Sequence, residues 1–416
     1  MRNLRVYPTS LAYLLFLGLL SVSLPSCANA QAKLTSLESA ADAPMETAFK
    51  KMLSNRLDQL AKKVVADLEV LEPTPYNFPH AIGTDFKMRK ISSADWTSGF
   101  YPGIMWYLYD HSQDERLKTA AKTWMTFIER EQYNTNTHDL GFMVYNSFGN
   151  AYEITGDETY KPIIVQTAES LASRYNEKVG CIRSWDFAEH VWSFPVIIDN
   201  MMNLELLFEA YKLSGKQSLY DIAVRHAETT MEHHFRPDNS SFHVVDYSPT
   251  TGKVRNKQTH QGYADESAWS RGQAWGLYGY AIMYRETKEQ RFLEQAKKIA
   301  DFMFQHKNLP KDHIMYWDYN APFIPNEPRD VSAATIAAAG LIKMATLDPN
   351  NAEQYLGWCD KILTSLESPF YHTDIKPFIL DHSVGAYPWK SEVDRPIIYA
   401  DYYYIEALKE RLAYEK

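Results

Sequence analysis

The sequence predicts an all-α fold, an (α/α)6 barrel with six inner and six outer helices. Three observations predict it. Amphipathic segments begin near Met45, Asp114, Glu158, Gln217, Gln290 and Asn351; DERLKTAAKTWMTFIEREQ and QRFLEQAKKIADFMFQHK show their apolar residues at three- and four-residue spacing, the pattern of a helix with one buried face. Between them lie segments apolar or aromatic nearly all round, which belong inside. The two kinds alternate strictly, and the connections leading into the apolar segments are long, while those leading out are short, like TGDET.

Taken in order, the inner segments are GFYPGIMWYLY, GFMVYNSFGNAYEI, PVIIDNMMNLELLFEAY, RGQAWGLYGYAIMY, SAATIAAAGLIKMA and RPIIYADYYYIEAL. Strand-like patches such as SFHVVDYSP read as short and isolated. The alternation gathers the long connections at one end of the barrel, and long ordered loops on a rigid scaffold usually carry function. No Pro-, Gly- or Ser-rich linker divides residues 31–416, which read as one catalytic domain.

Residues 1–30 read as a leader. Arg2 and Arg5 precede the apolar run LAYLLFLGLLSVSL, which is short for a membrane span. Two endings fit: cleavage after Ala30 in CANA, or a lipoprotein box, LPSC, that lipidates Cys27. The second is favoured, and both place the mature chain outside the cytoplasm, periplasmic or anchored on a membrane face. Beyond the leader only Cys181 and Cys359 remain, enough for one disulfide and no disulfide framework. A net charge of −9 argues against nonspecific nucleic-acid binding. The 14% of aromatic residues suits flat, polar-edged surfaces for sugars as well as a large core.

At the starts of the inner segments stand Asp95, Trp96 and Tyr101, then His138 and Asp139, then Trp185, His190, Trp192 and Asp199, then His260, Gln261, Trp269, Arg271 and Trp275, then Arg329 and Asp330. Aromatic plates, acids and a guanidinium are the inventory of a sugar-acid site. Asp199 sits in an apolar run, so burial should raise its pKa and suit it to proton transfer; a structural, hydrogen-bonded carboxylate explains the same position. Asp139 precedes a helix and reads as an N-cap, or as the second acid of a pair. Trp96, Trp269 and Trp275 read individually as core residues or as sugar platforms. A buried Arg271 needs an anionic partner, either Asp265, Glu266 or a substrate carboxylate. His233 and His234 read as a solvated helix end. There is no phosphate loop, no GxSxG elbow and no zinc spacing, so the chemistry is expected to need neither metal nor cofactor.

DWTSGFYPG, THDLGF, IIDNMMNLELLFEA, HQGYADESAWSRGQAWGLYG, RDVSAATIAAAGL and IYADYYYIEAL together resemble the unsaturated glucuronyl hydrolases, glycoside hydrolase family 88, from about Trp96 to Leu408. The resemblance implies the same barrel and a substrate that is a short lyase-generated oligosaccharide with a 4,5-unsaturated uronic acid at its non-reducing end. It also implies hydration of the C4=C5 bond, so that carboxylate separation does not report on retention or inversion. By resemblance Asp199 is the general acid/base and Asp139 the second essential carboxylate. Gln261 and Arg271 meet the uronate, Trp96, Trp269 and Trp275 stack, and His138, His243 and His260 stand alongside. A backbone-capped Asp139 would stay ionised while Asp199 carries the proton. Asp381 to Asp394, with Ser383, Lys390 and Ser391, is the region where some members hold sulfate, and Ala386 and Pro388 interrupt the match. Three other readings compete: an unsaturated rhamnogalacturonyl hydrolase, a toroidal polysaccharide lyase using Tyr263 and His260, and a non-catalytic sugar-binding lipoprotein.

Overall fold

The structure, a computed structural model, describes residues 27–414, with side chains from residue 46 onward. Residues 1–26, most of the leader, lie outside the described residues, as does the side chain of Cys27. The chain divides into two compact units after Lys51. Helix α1, Cys27–Asp67, crosses that division, and the barrel belongs to the unit Met52–Lys416.

Hairpin β1–β2, Phe78–Ile82 and Met88–Ile91, precedes inner helix α2, Phe100–Ser112, and outer helix α3, Glu115–Ile128. The second inner element is a π-helix, Gly141–Gly149, running into α4, Asn150–Thr155, and α5, Lys161–Ala172, lies outside it. Two short strands, β3 at Tyr175–Asn176 and β4 at Cys181–Ile182, lead to β5, Pro195–Ile197. A 3-10 turn, Ile198–Asn203, then opens into inner α6, Leu204–Ser214, followed by outer α7, Gln217–His233. Strands β6, Val244–Tyr247, and β7, Val254–Gln258, precede inner α8, Ser270–Thr287, and outer α9, Gln290–Gln305. Inner α10, Val331–Leu347, outer α11, Ala352–Leu366, hairpin β8–β9, Ser383–Ala386 and Ser391–Arg395, and inner α12, Ile398–Ala413, complete the chain.

Each inner element packs on the next, and α12 packs back on α2, closing the ring. Outer α3, α5, α7, α9 and α11 lie against it, and the Arg56–Glu367 ion pair joins α1 to the end of α11. The polarity pattern decides the layers. In α9 the buried apolar residues are Phe292, Leu293, Ala296, Ile299, Ala300, Met303 and Phe304, one face only, whereas α10 is buried nearly all round. Short inner-to-outer turns repeat: α2, α4, α6 and α8 end on left-handed residues, Gln113, Gly156, Gly215 and Lys288, whose amides return to the last helical turn.

The long connections fold into sheets, and here the expectations need correction. SFHVVDYSP is not isolated: β6 pairs with both β5 and β7. Pro195–Ile197, assigned by pattern to the third inner helix, is the β5 strand; its β-branched run serves a fully buried strand as well as a helix. His234 is fully buried, with Nε2 3.0 Å from the Val196 carbonyl, so only His233 sits near solvent. Cys181 in β4 and Cys359 in α11 are both buried and free, so they form no disulfide.

Gly99 sets the approach of α2 to the π-helix. A Cβ there would lie 2.2 Å from the Phe142 carbonyl oxygen and 2.3 Å from that of Met143, both backbone atoms that cannot swing away. Gly99→Ala is expected to cost about 2–3 kcal/mol of stability, read as a lower urea midpoint at unchanged slope.

Candidate active site

At the end where the inner elements begin lies a cavity of about 790 Å³, and Asp139, Asp199, His138, His260, Gln261, Arg271 and Trp96 all line it. Asp199 is placed by the strand-to-turn junction: Ile198 donates its N–H to the His243 carbonyl at 3.1 Å, and the chain leaves the sheet with Asp199 in the first turn that follows. Its carboxyl is largely buried, and Oδ2 has no hydrogen-bond partner. Burial pushes the group up to about 7, opposed by the nearby Arg271 and His138 and reinforced by Asp139.

His243 does not line the cavity but stands behind Asp199, with Nε2 3.8 Å from Oδ2. Its Nδ1 accepts the backbone N–H groups of His260 at 3.1 Å and Gln261 at 3.2 Å, which puts the proton of the neutral ring on Nε2, facing Asp199. Burial holds His243 well below the usual histidine range, so this ring is neutral at pH 7.

Asp139 does not cap its helix. Its Oδ2 accepts from Thr137 Oγ1 at 2.7 Å and its Oδ1 lies 3.1 Å from His138 Nε2, while the π-helix begins without a side-chain cap. The short TH sequence before it supplies both partners and turns the carboxylate toward the cavity.

Arg271 is fully buried, and its partner is neither Asp265 nor Glu266 but Asp330, at 3.1 Å. Nη1 also bonds the Val384 carbonyl, Nη2 donates to the Gly385 carbonyl at 2.6 Å, and only Nε is left unpartnered. Gln261 Nε2 donates to the same Gly385 carbonyl at 3.0 Å. The terminal nitrogens of Arg271 therefore hold the rim hairpin, and the expected two-pronged grip on a substrate carboxylate is reduced to the Nε edge.

The tryptophans divide. Trp96 lines the cavity against Tyr399, at 5.0 Å between ring centres. Trp269 is buried beneath the Arg271 guanidinium, 4.6 Å from its ring, and beside His243. Trp275 is fully enclosed between Phe142 and Tyr403. Neither lines the cavity, so both act as core supports of the site, because α8 turns those faces inward.

Several residues that line the cavity have no specific role legible in the sequence. Trp185 and Phe187 stack at 4.7 Å and continue the aromatic wall to His260. Tyr399 was hidden in a run of tyrosines, and His80, Arg89 and Glu392 come from two hairpins remote in sequence. Asp95 and Trp185 carried a signal, their place at inner-segment starts; the hairpin residues carried none. Ser383, Lys390 and Ser391 do not line the cavity: Ser383 is fully buried, and Ser391 Oγ is spent on Glu392.

Residues 75–343 match the model of Glycosyl Hydrolase Family 88. The chain belongs to glycosyl hydrolase family 88. Among relatives, it is 46% identical over 340 residues to an unsaturated glucuronyl hydrolase of Formosa agariphila, covering 80% of this chain and 84% of that one. It is 33% identical to an unsaturated chondroitin disaccharide hydrolase of Streptococcus pneumoniae, covering 86% of this chain and 92% of that one. A crystal structure of an unsaturated glucuronyl hydrolase specific for heparin superposes with a TM-score of 0.83 at 44% identity, covering 86% of this chain and 96% of that one. The (α/α)6 barrel is thus the fold of a family-88 chain, and Asp139, Asp199, Gln261 and Arg271 all fall inside the matched residues.

The proximity of the two acids has a direct readout. Because the charge of Asp139 helps raise Asp199, Asp139→Asn should move the Asp199 titration below its starting point of about 7, measured by carbon-13 NMR of labelled aspartates. An unmoved titration would show that the two carboxylates do not interact.

Proposed function

We propose that this family-88 protein removes the 4,5-unsaturated uronic acid from the non-reducing end of short oligosaccharides by hydrating its C4=C5 bond. One observation carries the reading: an acid raised to about 7, with an unpartnered oxygen, in a cavity walled by aromatic rings and arginine. In this reading protonated Asp199 gives its proton to C4, water adds to C5, and the resulting carboxylate takes the proton that the water loses. The C5 hemiketal so formed opens, and the glycosidic bond breaks with it. Asp139, oriented by Thr137 and His138, adds the negative charge that helps keep the proton on Asp199 before reaction. Neutral His243 presents an N–H behind Asp199, placed to steady the carboxylate after proton transfer. Trp96 offers a ring face for the sugar, and Gln261 with the Nε edge of Arg271 offers donors to the uronate.

The names of the relatives support glycosaminoglycan-type disaccharides, since chondroitin and heparin both appear among them. A rhamnogalacturonyl, lyase or purely binding role leaves the raised Asp199 unexplained or draws no support from these relatives.

The conjugated alkene absorbs ultraviolet light and hydration removes it. Wild type is expected to bleach an unsaturated disaccharide, and Asp199→Asn to do so roughly 10²–10⁴-fold more slowly. An unbleached substrate with wild type, or an active Asp199→Asn, would overturn the reading. Activity should also fall as pH rises through about 7, because only protonated Asp199 can protonate C4.

We further propose export, with lipid on Cys27, supported by the Arg2/Arg5 flank, the apolar run and LPSC. Radiolabelled palmitate should enter wild type and not Cys27→Ala; an unlabelled wild type refutes the anchor.

A further inference from the structure

Two arginines line the cavity among the described residues, and they are in opposite states. Arg271 is buried, and both its terminal nitrogens are committed to protein oxygens. Arg89, on β2, is 51% exposed. Its Nη1 bonds Glu392 Oε1 and lies 3.5 Å from Ser391 Oγ, while Nε and Nη2 make no hydrogen bond among the described residues. Those two nitrogens form the edge of a guanidinium that grips a planar or tetrahedral anion with two parallel hydrogen bonds.

Arg89 is also held in place. Glu392 is buried on β9, its Oε2 accepts from Ser391 Oγ at 2.5 Å, and its Oε1 takes Arg89. His80 Nε2 stands 3.7 Å from the same Oε1. Glu392 is thereby offset by its neighbours and works as a strut that fixes one side of Arg89, a residue that lines the cavity. A flexible surface arginine would give up side-chain entropy on binding an anion; this one has surrendered much of it already.

The reacting acids and Arg271 are buried or half-buried, whereas Arg89 sits at the solvent side of the same cavity. At about 790 Å³ the cavity is within the range that encloses a drug-sized ligand, and a disaccharide is of that size. With the unsaturated ring at Asp199, the sugar it is attached to lies nearer the rim. Building on the hydrolase reading above, we infer that Arg89 recognises an anionic substituent, a sulfate ester or a second carboxylate, on that neighbouring sugar. Lys390 and Ser391, the residues of the rim loop that first suggested such a role, do not line the cavity, and Arg89 reaches it from a different hairpin.

The test compares kcat/KM for three unsaturated disaccharides whose second sugar is neutral, O-sulfated or carboxylated, with wild type, Arg89→Gln and Arg89→Lys. In Arg89→Gln the ratio of anionic to neutral substrate should fall roughly 10- to 100-fold, mainly through KM, as expected for loss of charge-assisted hydrogen bonds. Arg89→Lys should recover part of it, and the wild-type ratio should shrink as salt is raised. The sulfated and carboxylated arms show which anion is read. An unchanged ratio, or an equal loss on all three substrates, overturns the inference, the second outcome making Arg89 a structural strut or a ligand of the shared uronate. If wild type bleaches no disaccharide, the hydrolase reading fails first. Calorimetric binding of the sulfated disaccharide to Asp199→Asn, with and without Arg89→Gln, still judges the subsite, and equal affinities refute it.

Discussion

The buried pair of Arg271 and Asp330 ties together the elements that make the site. Asp330 caps α10, with Oδ1 accepting the Ser332 N–H and hydroxyl, and it also accepts the Val384 N–H at 3.3 Å. Arg271 opens α8, bonds Asp330, and takes the Val384 and Gly385 carbonyls of hairpin β8–β9. Two inner helices and the rim hairpin therefore meet on one desolvated ion pair. Such a pair adds little net stability compared with a well-packed apolar alternative, but removing one partner strands a buried charge at a cost of about 3–5 kcal/mol. Its value here is geometric and electrostatic. It fixes the hairpin that carries Glu392, and it leaves a positive charge near Asp199, where it opposes the effect of burial.

A raised acid alone does not identify a catalytic one. Asp401 is also pushed up to about 7, yet its two oxygens accept the Ile379 and Leu380 N–H groups and it does not line the cavity. Glu406 is raised too, but it is bonded to Tyr278 and Lys343 at the far end of the barrel. These are buried groups with protein partners, and their shifts are consequences of packing. Asp199 differs from Asp401 in having an oxygen without a partner, and from Glu406, whose Oε2 is also unpartnered, in lining the large cavity where the inner elements begin, beside a second acid, Asp139. The combination of raised proton affinity and a place on the cavity wall is what permits exchange with a ligand.

The barrel was legible because its polarity pattern is global: twelve segments, alternately one-faced and all-round apolar, admit few other closures. Asp199 and Asp139 were legible because inner-segment starts fall at one end, and Asp199 stood out as a charge in an apolar run. Composition alone did not indicate which side of α8 faced the cavity. Trp269, Arg271 and Trp275 fall within two turns, and only Arg271 reaches it. Of the two readings of Asp139, the cap fails because Thr137 and His138 compete for the carboxylate, a local hydrogen-bond choice that helix propensity does not encode. His80, Arg89 and Glu392 escaped because hairpin pairing and the packing of hairpin on barrel are long-range events with no periodic signature.

That failure follows a division of labour in the fold. The inner helices are packed against neighbours on every side, so residues at their starts inherit a fixed position, which suits acids that must meet one carbon atom. The hairpins meet where the Ile82 N–H donates to the Pro396 carbonyl at 3.1 Å; β1 and most of β8 are buried, whereas Arg89 and Lys90 on β2 are exposed and most of β9 is half-buried. A substitution at those exposed and half-buried positions disturbs less packing than one at an inner-helix start, so the rim can change the substituents it accepts while the floor keeps its chemistry. Arg89 and Glu392, both lining the cavity, join the two neighbouring hairpins, which makes the rim here a braced structure rather than two loose loops.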